Sequence, residues 1–384
     1  MKKELGQYFT SNECLLQNVK KFTLNTTGNI LEPSCGAGHI VDFLVKHGEH
    51  RNFTCIEIDT TIEQLQIMSE NKVKVIHDDF LNVAVTTKFT TIVGNPPYVK
   101  RKGKCNLYIE FIDKCVDLLD ENGELIFIIP SDFFMITSAS HVKKKLMELG
   151  SITHVHYPHD ESLFKNAAQD VIIFRFQKGE SKKPTDVNGV SKTLRFHNGN
   201  VYFIDNDDIE YIELSDIFEV KVGMVSGADK IFKNNELGNI SIMSANGSNA
   251  YILHNALPDD ENVCKFLNFH KQDLISRKIR RFDESNWYQW GCLRNVKFME
   301  SNKNTECIYC ATLTRKKPVF KKGSVTYFDG SLLCLFPKCK MDLNKLIDYM
   351  NSDKFLNNFF FAGRYKLGQK SLSDCHLPKI ICSD

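Results

Sequence analysis

Short apolar runs alternate with helix-like stretches from residue 28 to residue 178, and this alternation limits what the chain can fold into more than any other feature. Repeats of strand, helix and strand build parallel sheets with helices on both faces. We therefore predict an α/β fold with a doubly wound, mostly parallel sheet. The predicted strands are 29–31, 52–58, 73–76, 90–93, 125–129, 152–157 and 171–176, and the predicted helices are 38–47, 61–71, 107–119 and 140–149.

The alternation stops near residue 179, where a polar stretch with Gly and Pro has the composition of a linker or surface hairpin. We predict a first domain over 1–178, a linker or hairpin over 179–199, and a second domain over 200–384. The second domain is aromatic, irregular and locally basic, and we expect it to mix helices and strands without the βαβ repeat.

The composition is that of a globular cytoplasmic protein, with 42% hydrophobic and 25% charged residues among 384. The sequence has no apolar run long enough to span a membrane and no apolar leader at its start. The 13 cysteines are odd in number and irregularly spaced, which favours reduced thiols over a disulfide framework. Since the net charge is only +2, any contact with nucleic acid must use a local basic patch.

Asn95-Pro96-Pro97-Tyr98 directly follows the fourth predicted strand. The Asn95 amide oxygen and the Pro96 carbonyl can both accept hydrogen bonds from an exocyclic amino group, while Tyr98 stacks on the ring that carries this group. Two prolines keep the loop stiff before a substrate arrives. The motif indicates a site that holds the amino edge of a flipped-out base; a Pro-rich turn after a strand is the simpler alternative.

A second set of residues follows the first three predicted strands. Gly36 and Gly38 lie in a turn that opens a helix, where a missing Cβ lets the backbone approach a ligand. Glu57 ends the next strand, in a position where a carboxylate typically binds ribose hydroxyls. Asp79 and Phe80 follow the third strand and suit an adenine ring. Because the sequence lacks both a complete Gly-x-Gly-x-x-Gly and a phosphate-binding Gly-Lys-Ser/Thr, the predicted ligand is a nucleoside without a pyrophosphate, S-adenosylmethionine.

The order of these motifs is similar to the order found in a known protein family. Leu5-Gly6-Gln7-Tyr8-Phe9-Thr10 comes first, and Glu32-Pro33-x-x-Gly36-x-Gly38, Glu57, Asp79-Phe80 and Asn95-Pro96-Pro97-Tyr98 follow. In this order the chain resembles the γ-type, S-adenosylmethionine-dependent DNA adenine-N6 methyltransferases of restriction–modification systems. The resemblance covers about residues 5–178 and is looser beyond them. It implies a class I, Rossmann-like methyltransferase domain followed by an α+β domain that recognises the DNA target.

The resemblance also implies roles for individual residues. The cofactor residues would be Thr10 and Glu32 with the turn at Cys35, Gly36 and Gly38 for the methionine end, Glu57 for the ribose, and Ile58, Asp79, Phe80 and Phe111 for the adenine. Asn95, Pro96, Pro97 and Tyr98 would form the catalytic loop, and Phe164 would hold the flipped base against Tyr98.

The implied reaction is a direct attack of adenine N6 on the sulfonium methyl group. Such a reaction needs no protein nucleophile, because positioning and electrostatics carry the catalysis. Flipping the base out of the duplex costs a few kcal/mol, and stacking on Tyr98 and Phe164 would recover part of this free energy. We identify no residue as the acceptor of the departing proton.

Three basic clusters are candidates for contacts with DNA phosphates or guanine edges. Taken singly, each cluster is more simply a solvated surface. The candidate residues are Lys100, Arg101 and Lys102; Arg277, Lys278, Arg280 and Arg281; and Arg315, Lys316 and Lys317.

Other functions stay open at this point. They are cytosine-N4 methylation, methylation of RNA or of a protein glutamine amide, and DNA binding without catalysis. We expect a monomer that acts on double-stranded DNA in the cytoplasm, with a separate cognate restriction endonuclease left open as a partner. We expect no metal, because Cys307 and Cys310 form a single C-x-x-C whose following cysteines, Cys334 and Cys339, are wrongly spaced for zinc.

Overall fold

The computed structural model describes residues 10–100, 105–158, 160, 162–163, 170–179, 183–205, 209–254, 256–361 and 363–381. The chain divides into two compact units, Met1–Asp208 with Phe361–Gly363, and Ile209–Phe360 with Arg364–Asp384.

The first unit contains helices that alternate with strands, and five strands follow its last described helix. Its elements are α1 (Glu13–Phe22), β1 (Ile30–Glu32), α2 (His39–Lys46), β2 (Phe53–Glu57), β3 (Val73–His77), β4 (Phe89–Gly94), α3 (Leu107–Leu118), β5 (Leu119–Pro130), α4 (Ser140–Leu149), β6 (Gly150–His156), β7 (Val171–Lys178), β8 (Thr185–Val187), β9 (Val190–His197) and β10 (Asn200–Asp205), with 3-10 turns at Gln66–Ser69, Ser131–Met135 and Thr137–Ala139.

These strands form one sheet in the order β10-β9-β8-β6-β7-β5-β4-β1-β2-β3. The five adjacent strands β5, β4, β1, β2 and β3 run parallel to one another. Strand β7 lies between β5 and β6 and is antiparallel to both. This order confirms the predicted doubly wound α/β fold.

Buried apolar side chains pack on both faces of the sheet. Alternate residues of β5 contribute to different clusters: Ile126 and Ile128 pack with α1 and α2, whereas Leu125 and Phe127 pack with α3 and α4. Side chains alternate between the faces of a strand, so a strand covered by helices on both faces is apolar throughout. The apolar run in β5 is this type of strand.

The strand order reverses between β1 and β4. β1 pairs with β2 on one side and with β4 on the other, with Ile30 opposite both Phe53 and Thr91. In open α/β sheets, a crevice for ligands lies at the carboxyl ends of the strands where the order reverses. Glu32 ends β1 and Asn95 directly follows β4, so both residues lie at this crevice.

Two parts of the first unit differ from the prediction. Only Gln66–Ser69 of the predicted helix 61–71 is helical, as a 3-10 turn, because the Leu65 amide donates to the Ala37 carbonyl instead of extending a helix. Helix α1 was not predicted, although Leu15, Leu16, Val19 and Phe22 have helical spacing and are buried.

The predicted linker or hairpin at 179–199 forms an antiparallel hairpin of β8 and β9 in its described part, and β10 extends the same sheet. Thr185 is fully buried, and its hydroxyl donates to the Ile152 carbonyl at 2.6 Å. Because β8 pairs with β6, the boundary between the units lies at 208/209 rather than at 199/200.

The second unit mixes short helices with antiparallel strands, and its largest sheet has the order β12-β18-β15-β17. Both tryptophans of the chain, Trp287 and Trp290, are buried in its core. Its elements are β11 (Tyr211–Glu213), α5 (Leu214–Ile217), β12 (Phe218–Val222), α6 (Asp229–Phe232), β13 (Ile240–Ser244), β14 (Gly247–Tyr251), α7 (Glu261–Phe269), α8 (Lys271–Ile275), α9 (Val296–Ser301), β15 (Glu306–Ala311), β16 (Leu313–Thr314), β17 (Phe320–Ser324), β18 (Leu332–Pro337), α10 (Leu343–Met350), α11 (Asp353–Leu356), β19 (Phe360–Phe361), β20 (Arg364–Lys366), α12 (Gln369–Ser373) and β21 (His376–Pro378), with 3-10 turns at Asn357–Phe359 and Lys379–Ile381. Among the described residues, none of the helices in either unit has the length and apolar character needed to cross a bilayer.

Candidate active site

Glu32 is the buried carboxylate of the crevice. Its side chain is 2% exposed, and Oε2 has no hydrogen-bond partner among the described residues. Burial, together with the neighbouring Cys35 and Glu57, raises the pKa of Glu32 well above its ordinary value. An unpaired polar atom in this environment is costly, so a ligand that donates a hydrogen bond or carries positive charge would stabilise the ionised group.

A small cavity lies beside Glu32. Its volume is about 30 Å³, which is enough for a water-sized group such as an ammonium. The rest of a larger ligand would lie along the neighbouring strand ends. The lining residues are Thr10, Glu32, Ser34, Cys35, Gly36, His39, Ile40 and Asn95.

The glycine turn is tied to the end of β2. Gly36 has a φ of 53°, and its amide donates to Glu57 Oε2 at 2.7 Å. Glu57 Oε1 accepts the amide of Asp59 at 2.9 Å. Glu57 thus joins two loops at the crevice, where both carboxylate oxygens keep further acceptor positions for ligand hydroxyls.

The structure gives a reason for a glycine at position 38 that the sequence did not show. Its φ is 90°, and a Cβ at this position would lie 2.3 Å from the Met68 sulfur. The missing side chain therefore makes room for Met68, and Gly38 is not among the residues that line the cavity. Cys35 is held by its backbone, which donates to the Ile56 carbonyl at 3.0 Å.

The residues predicted for the adenine end lie after β2 and β3 and on α3. Ile58 is 53% exposed, which leaves an apolar surface beyond the end of β2. Phe80 and Phe111 are both buried, with ring centroids 4.9 Å apart. The Asp79 carboxylate accepts the Leu81 amide at 2.9 Å and so shapes its own loop. Phe80 therefore supports this part of the crevice from within the core.

Asn95 and Tyr98 are linked by hydrogen bonds. The Asn95 side-chain nitrogen donates to the Thr10 hydroxyl at 2.9 Å, and Asn95 Oδ1 accepts from the Tyr98 hydroxyl. The Tyr98 oxygen also lies 3.0 Å from the Ile128 carbonyl oxygen in β5. Pro96 is buried, whereas Asn95, Pro97 and Tyr98 are half-buried. The loop of residues 95–98 is thus fixed against both β5 and Thr10.

Several predicted site residues lie outside the described part of the chain, namely Phe164, Arg101, Lys102 and residues 5–9. Lys100 is described and exposed, and it forms an isolated antiparallel bridge with Asn106.

Arg277, predicted to contact DNA, is a structural residue instead, and that prediction is wrong. Its side chain is buried and donates to the carbonyls of Leu274, Ser226, Trp287 and Gln289 at 2.6–2.9 Å. Burial and the nearby Arg280 lower the pKa of Arg277 to about 10. A guanidinium engaged in this way is turned away from solvent.

The other basic candidates of the second unit are exposed. Arg280 stacks on the Phe282 ring, with its guanidinium carbon 4.4 Å from the centroid, and donates to the Trp290 carbonyl at 3.1 Å. Lys317 pairs with Asp353, which reduces its availability to a phosphate. The exposed candidates are Lys278, Arg280, Arg281, Arg315, Lys316 and Lys317.

Cys307 and Cys310 are both buried in β15. Residues three apart in a strand point to opposite faces, so these two thiols cannot bind one ion together. The described residues contain no group of three or more potential ligand side chains arranged to hold a metal.

The sequence analysis did not identify two lysines that hold the loops after β3 and β5. The Lys114 ammonium on α3 donates to the carbonyls of Phe80 and Val83 in the loop after β3. Lys143 on α4 is fully buried and donates to the carbonyls of Phe134 and Ile136 after β5, both at 2.9 Å. Burial lowers the pKa of Lys143 to about 7. A lysine placed among the apolar positions of an amphipathic helix is the signal that could have identified both.

The chain is similar to several known methyltransferases. Residues 18–164 match the Eco57I restriction-modification methylase family. The Type II methyltransferase M.HindII of Haemophilus influenzae is 24% identical over 91% of this chain and 83% of its own length. The modification methylase CviBIII of Paramecium bursaria Chlorella virus NC1A is 36% identical, over 33% of this chain and 37% of its own length. Among solved structures, the methyltransferase subunit of a type I restriction-modification system from Streptococcus thermophilus shares 15% identity and a TM-score of 0.41, over 53% of this chain and 51% of its own.

The fold and the family match imply S-adenosyl-L-methionine as the cofactor, and the residues of the crevice fit it. The unpaired Glu32 oxygen suits the methionine ammonium, and the exposed Ile58 suits an adenine ring. The chain is therefore similar to restriction-modification DNA methyltransferases, and its residues 18–164 match the Eco57I restriction-modification methylase family.

Proposed function

We propose that this protein methylates the N6 amino group of a flipped-out adenine within a specific site of double-stranded DNA. The observation that supports this most strongly is the position of Asn95. Its side-chain amide is fixed at the carboxyl end of β4, beside the strand that ends in Glu32, and both residues line one cavity. An amino group held by Asn95 would therefore meet the methionine end of the cofactor.

The cofactor supplies a methyl group on a positively charged sulfur. On the protein side, Glu32 accepts hydrogen bonds from the methionine ammonium, and the turn at Cys35 and Gly36 forms the adjacent wall. Glu57 accepts the ribose hydroxyls with its remaining acceptor positions. Ile58 covers one face of the cofactor adenine, with the Asp79, Phe80 and Phe111 region shaping the far end of the crevice.

The catalytic loop orients the target amino group. Asn95 Oδ1 and the Pro96 carbonyl accept its two hydrogens, which directs the nitrogen lone pair toward the methyl group. An amide oxygen accepts two hydrogen bonds, so the Tyr98 hydroxyl and the base can share Oδ1. The ring of Tyr98, together with Phe164, stacks on the base and offsets part of the flipping cost. Catalysis is then a matter of position and of polar groups fixed in advance.

Basic side chains supply the DNA contacts in this proposal. Lys100, Arg101 and Lys102 follow the catalytic loop, where the phosphates beside a flipped nucleotide would lie. In the second unit, we assign target recognition to the surface that carries Lys278, Arg280 and Arg281, with Arg315, Lys316 and Lys317 as further phosphate contacts. Arg280 is held by an aromatic ring and a carbonyl, which suits a directional contact to a base edge.

The biological role that follows is protection of DNA from a cognate restriction endonuclease. The protein would act as a monomer on DNA in the cytoplasm, with the endonuclease as a separate protein.

The test is to identify the methylated nucleoside. Purified full-length protein is incubated with cofactor labelled in its methyl group and with duplex DNA that contains many sequences, and the DNA is then digested to nucleosides. We expect the label in N6-methyladenine, at one sequence when the product is sequenced. Label in N4-methylcytosine, or in RNA or protein but not in DNA, would contradict the proposal.

A further inference from the structure

The Asn95 amide is held at both ends by hydroxyl groups. Its nitrogen donates to Thr10 Oγ1 at 2.9 Å, and its oxygen accepts from the Tyr98 hydroxyl. We propose that Thr10 is a positioning residue for methyl transfer. Its hydroxyl, acting together with that of Tyr98, holds the Asn95 amide in place where the target base would meet it.

The orientation matters because the two ends of an amide have opposite hydrogen-bonding character. Turned by 180°, Asn95 would present its NH₂ group to the amino group of the base, donor against donor. In the observed orientation, Thr10 accepts from the nitrogen and the oxygen is directed toward Tyr98 and the substrate.

Burial strengthens the effect. Thr10 is 6% exposed, so water competes weakly for the hydrogen bond to Asn95. The Tyr98 oxygen is 3.0 Å from the Ile128 carbonyl, so the backbone of β5 anchors the other end. Since the Tyr98 hydroxyl has one proton, it donates to either Asn95 or Ile128 at a given moment. The Thr10 bond keeps the amide anchored while that proton is on the Ile128 side.

This inference rests on the proposed function, and it assigns the Thr10 hydroxyl to the catalytic amide rather than to the methionine contact that the resemblance implies. Thr10 lines the cavity, and its hydroxyl accepts a hydrogen bond from Asn95. Loss of its hydroxyl should therefore lower the rate of transfer while the affinity for the cofactor is kept.

The experiment compares Thr10→Val, which keeps the shape without the hydroxyl, with Thr10→Ser, which keeps the hydroxyl. We measure kcat, the KM for S-adenosyl-L-methionine and its Kd by calorimetry, with thermal melting as the check on folding. Because one shielded hydrogen bond is removed, Thr10→Val should lower kcat by about fivefold to tenfold. Its Kd should change less than about twofold, and Thr10→Ser should recover most of the rate.

A double-mutant cycle with Tyr98→Phe adds a readout that a purely structural role would not change. Both substitutions act on one amide, so we expect their effects on kcat to be less than additive. The ring that stacks on the base is retained in each variant, so 2-aminopurine fluorescence at the target position should show normal flipping.

Three results would overturn the inference: a weaker Kd that accounts for the whole loss of rate, an unchanged kcat in Thr10→Val, or strictly additive effects in the double variant. These outcomes are distinct from failure of the proposed function, which would appear as wild-type protein that does not methylate adenine in DNA.

Discussion

Glu32 and Asn95 lie at the carboxyl ends of two adjacent parallel strands, Glu32 as the last residue of β1 and Asn95 directly after β4. One residue carries a buried carboxylate with an unpaired oxygen, and the other carries an amide fixed by hydrogen bonds. This juxtaposition places a group that suits an ammonium next to one that suits an exocyclic amine. The proposed methyl transfer depends on this arrangement of the two residues.

Cofactor binding should strengthen as the pH rises through the raised pKa of Glu32. Below that pKa the buried side chain is protonated, and binding the methionine ammonium requires loss of the proton. Above it, the carboxylate is ready and the affinity levels off. Calorimetric titration at several pH values should show this rise, with proton release on binding at the lower values.

Glu32→Gln is the control for this dependence. We expect weaker binding that no longer varies with pH in this range, and an equal pH dependence in both proteins would contradict the role of Glu32.

The cofactor-free protein should show the opposite trend in stability. Because the pKa is raised in the folded state, this stabilisation is complete below the ordinary value of 4.5 and is lost as pH rises through the folded value.

Replacing Arg277 by Met should destabilise the second unit rather than weaken DNA binding directly. The substitution leaves four backbone carbonyls without their donor. The expected loss in the free energy of unfolding is about 3 kcal/mol. Urea denaturation followed by tryptophan fluorescence reports this unit, because both tryptophans lie in its core. The neighbouring exposed Lys278→Met should leave the transition midpoint unchanged, and equal midpoints for wild type and Arg277→Met would refute the structural role.

Much of the site could be predicted from the sequence because its residues lie at the ends of strands. The alternation of strands and helices predicted Glu32, Glu57 and Asn95 at one edge of the sheet, and the strand order brings them together. The direction of individual side chains could not be predicted in the same way. Arg277 stands in a uniformly basic stretch, and only the folded turn shows that four carbonyls surround it. The contact between Thr10 and Asn95 joins residues 85 positions apart, which no local pattern reveals.

Lys114 should matter for cofactor binding although it lies on a helix behind the crevice. Its ammonium holds the carbonyls of Phe80 and Val83, and so fixes the loop that begins at Asp79. Lys114→Met should weaken the Kd for the cofactor by about tenfold, through loss of charge-assisted hydrogen bonds. The exposed Lys144→Met on α4 is the matched control and should bind normally. Normal binding by both variants would show that Lys114 does not support cofactor binding.

Phosphate contacts by the second unit predict a specific dependence on salt. Arg281 is exposed, and Arg281→Gln should weaken binding to all duplexes by a similar factor. The slope of log K against log salt concentration should fall by about one. Lys46→Gln, whose lysine pairs with Asp42 on α2, should leave the slope unchanged. An unaltered slope in Arg281→Gln would exclude a phosphate contact at this residue.

The most direct test of the central claim is the single-turnover rate of methyl transfer by Asn95→Ala, measured beside its Kd for the cofactor. The account predicts that transfer to duplex DNA falls by about a hundredfold or more, since a group that orients the reacting amine is removed, while cofactor binding stays measurable and close to that of wild type. Transfer at the wild-type rate, or a loss of rate explained entirely by loss of cofactor binding, would contradict it.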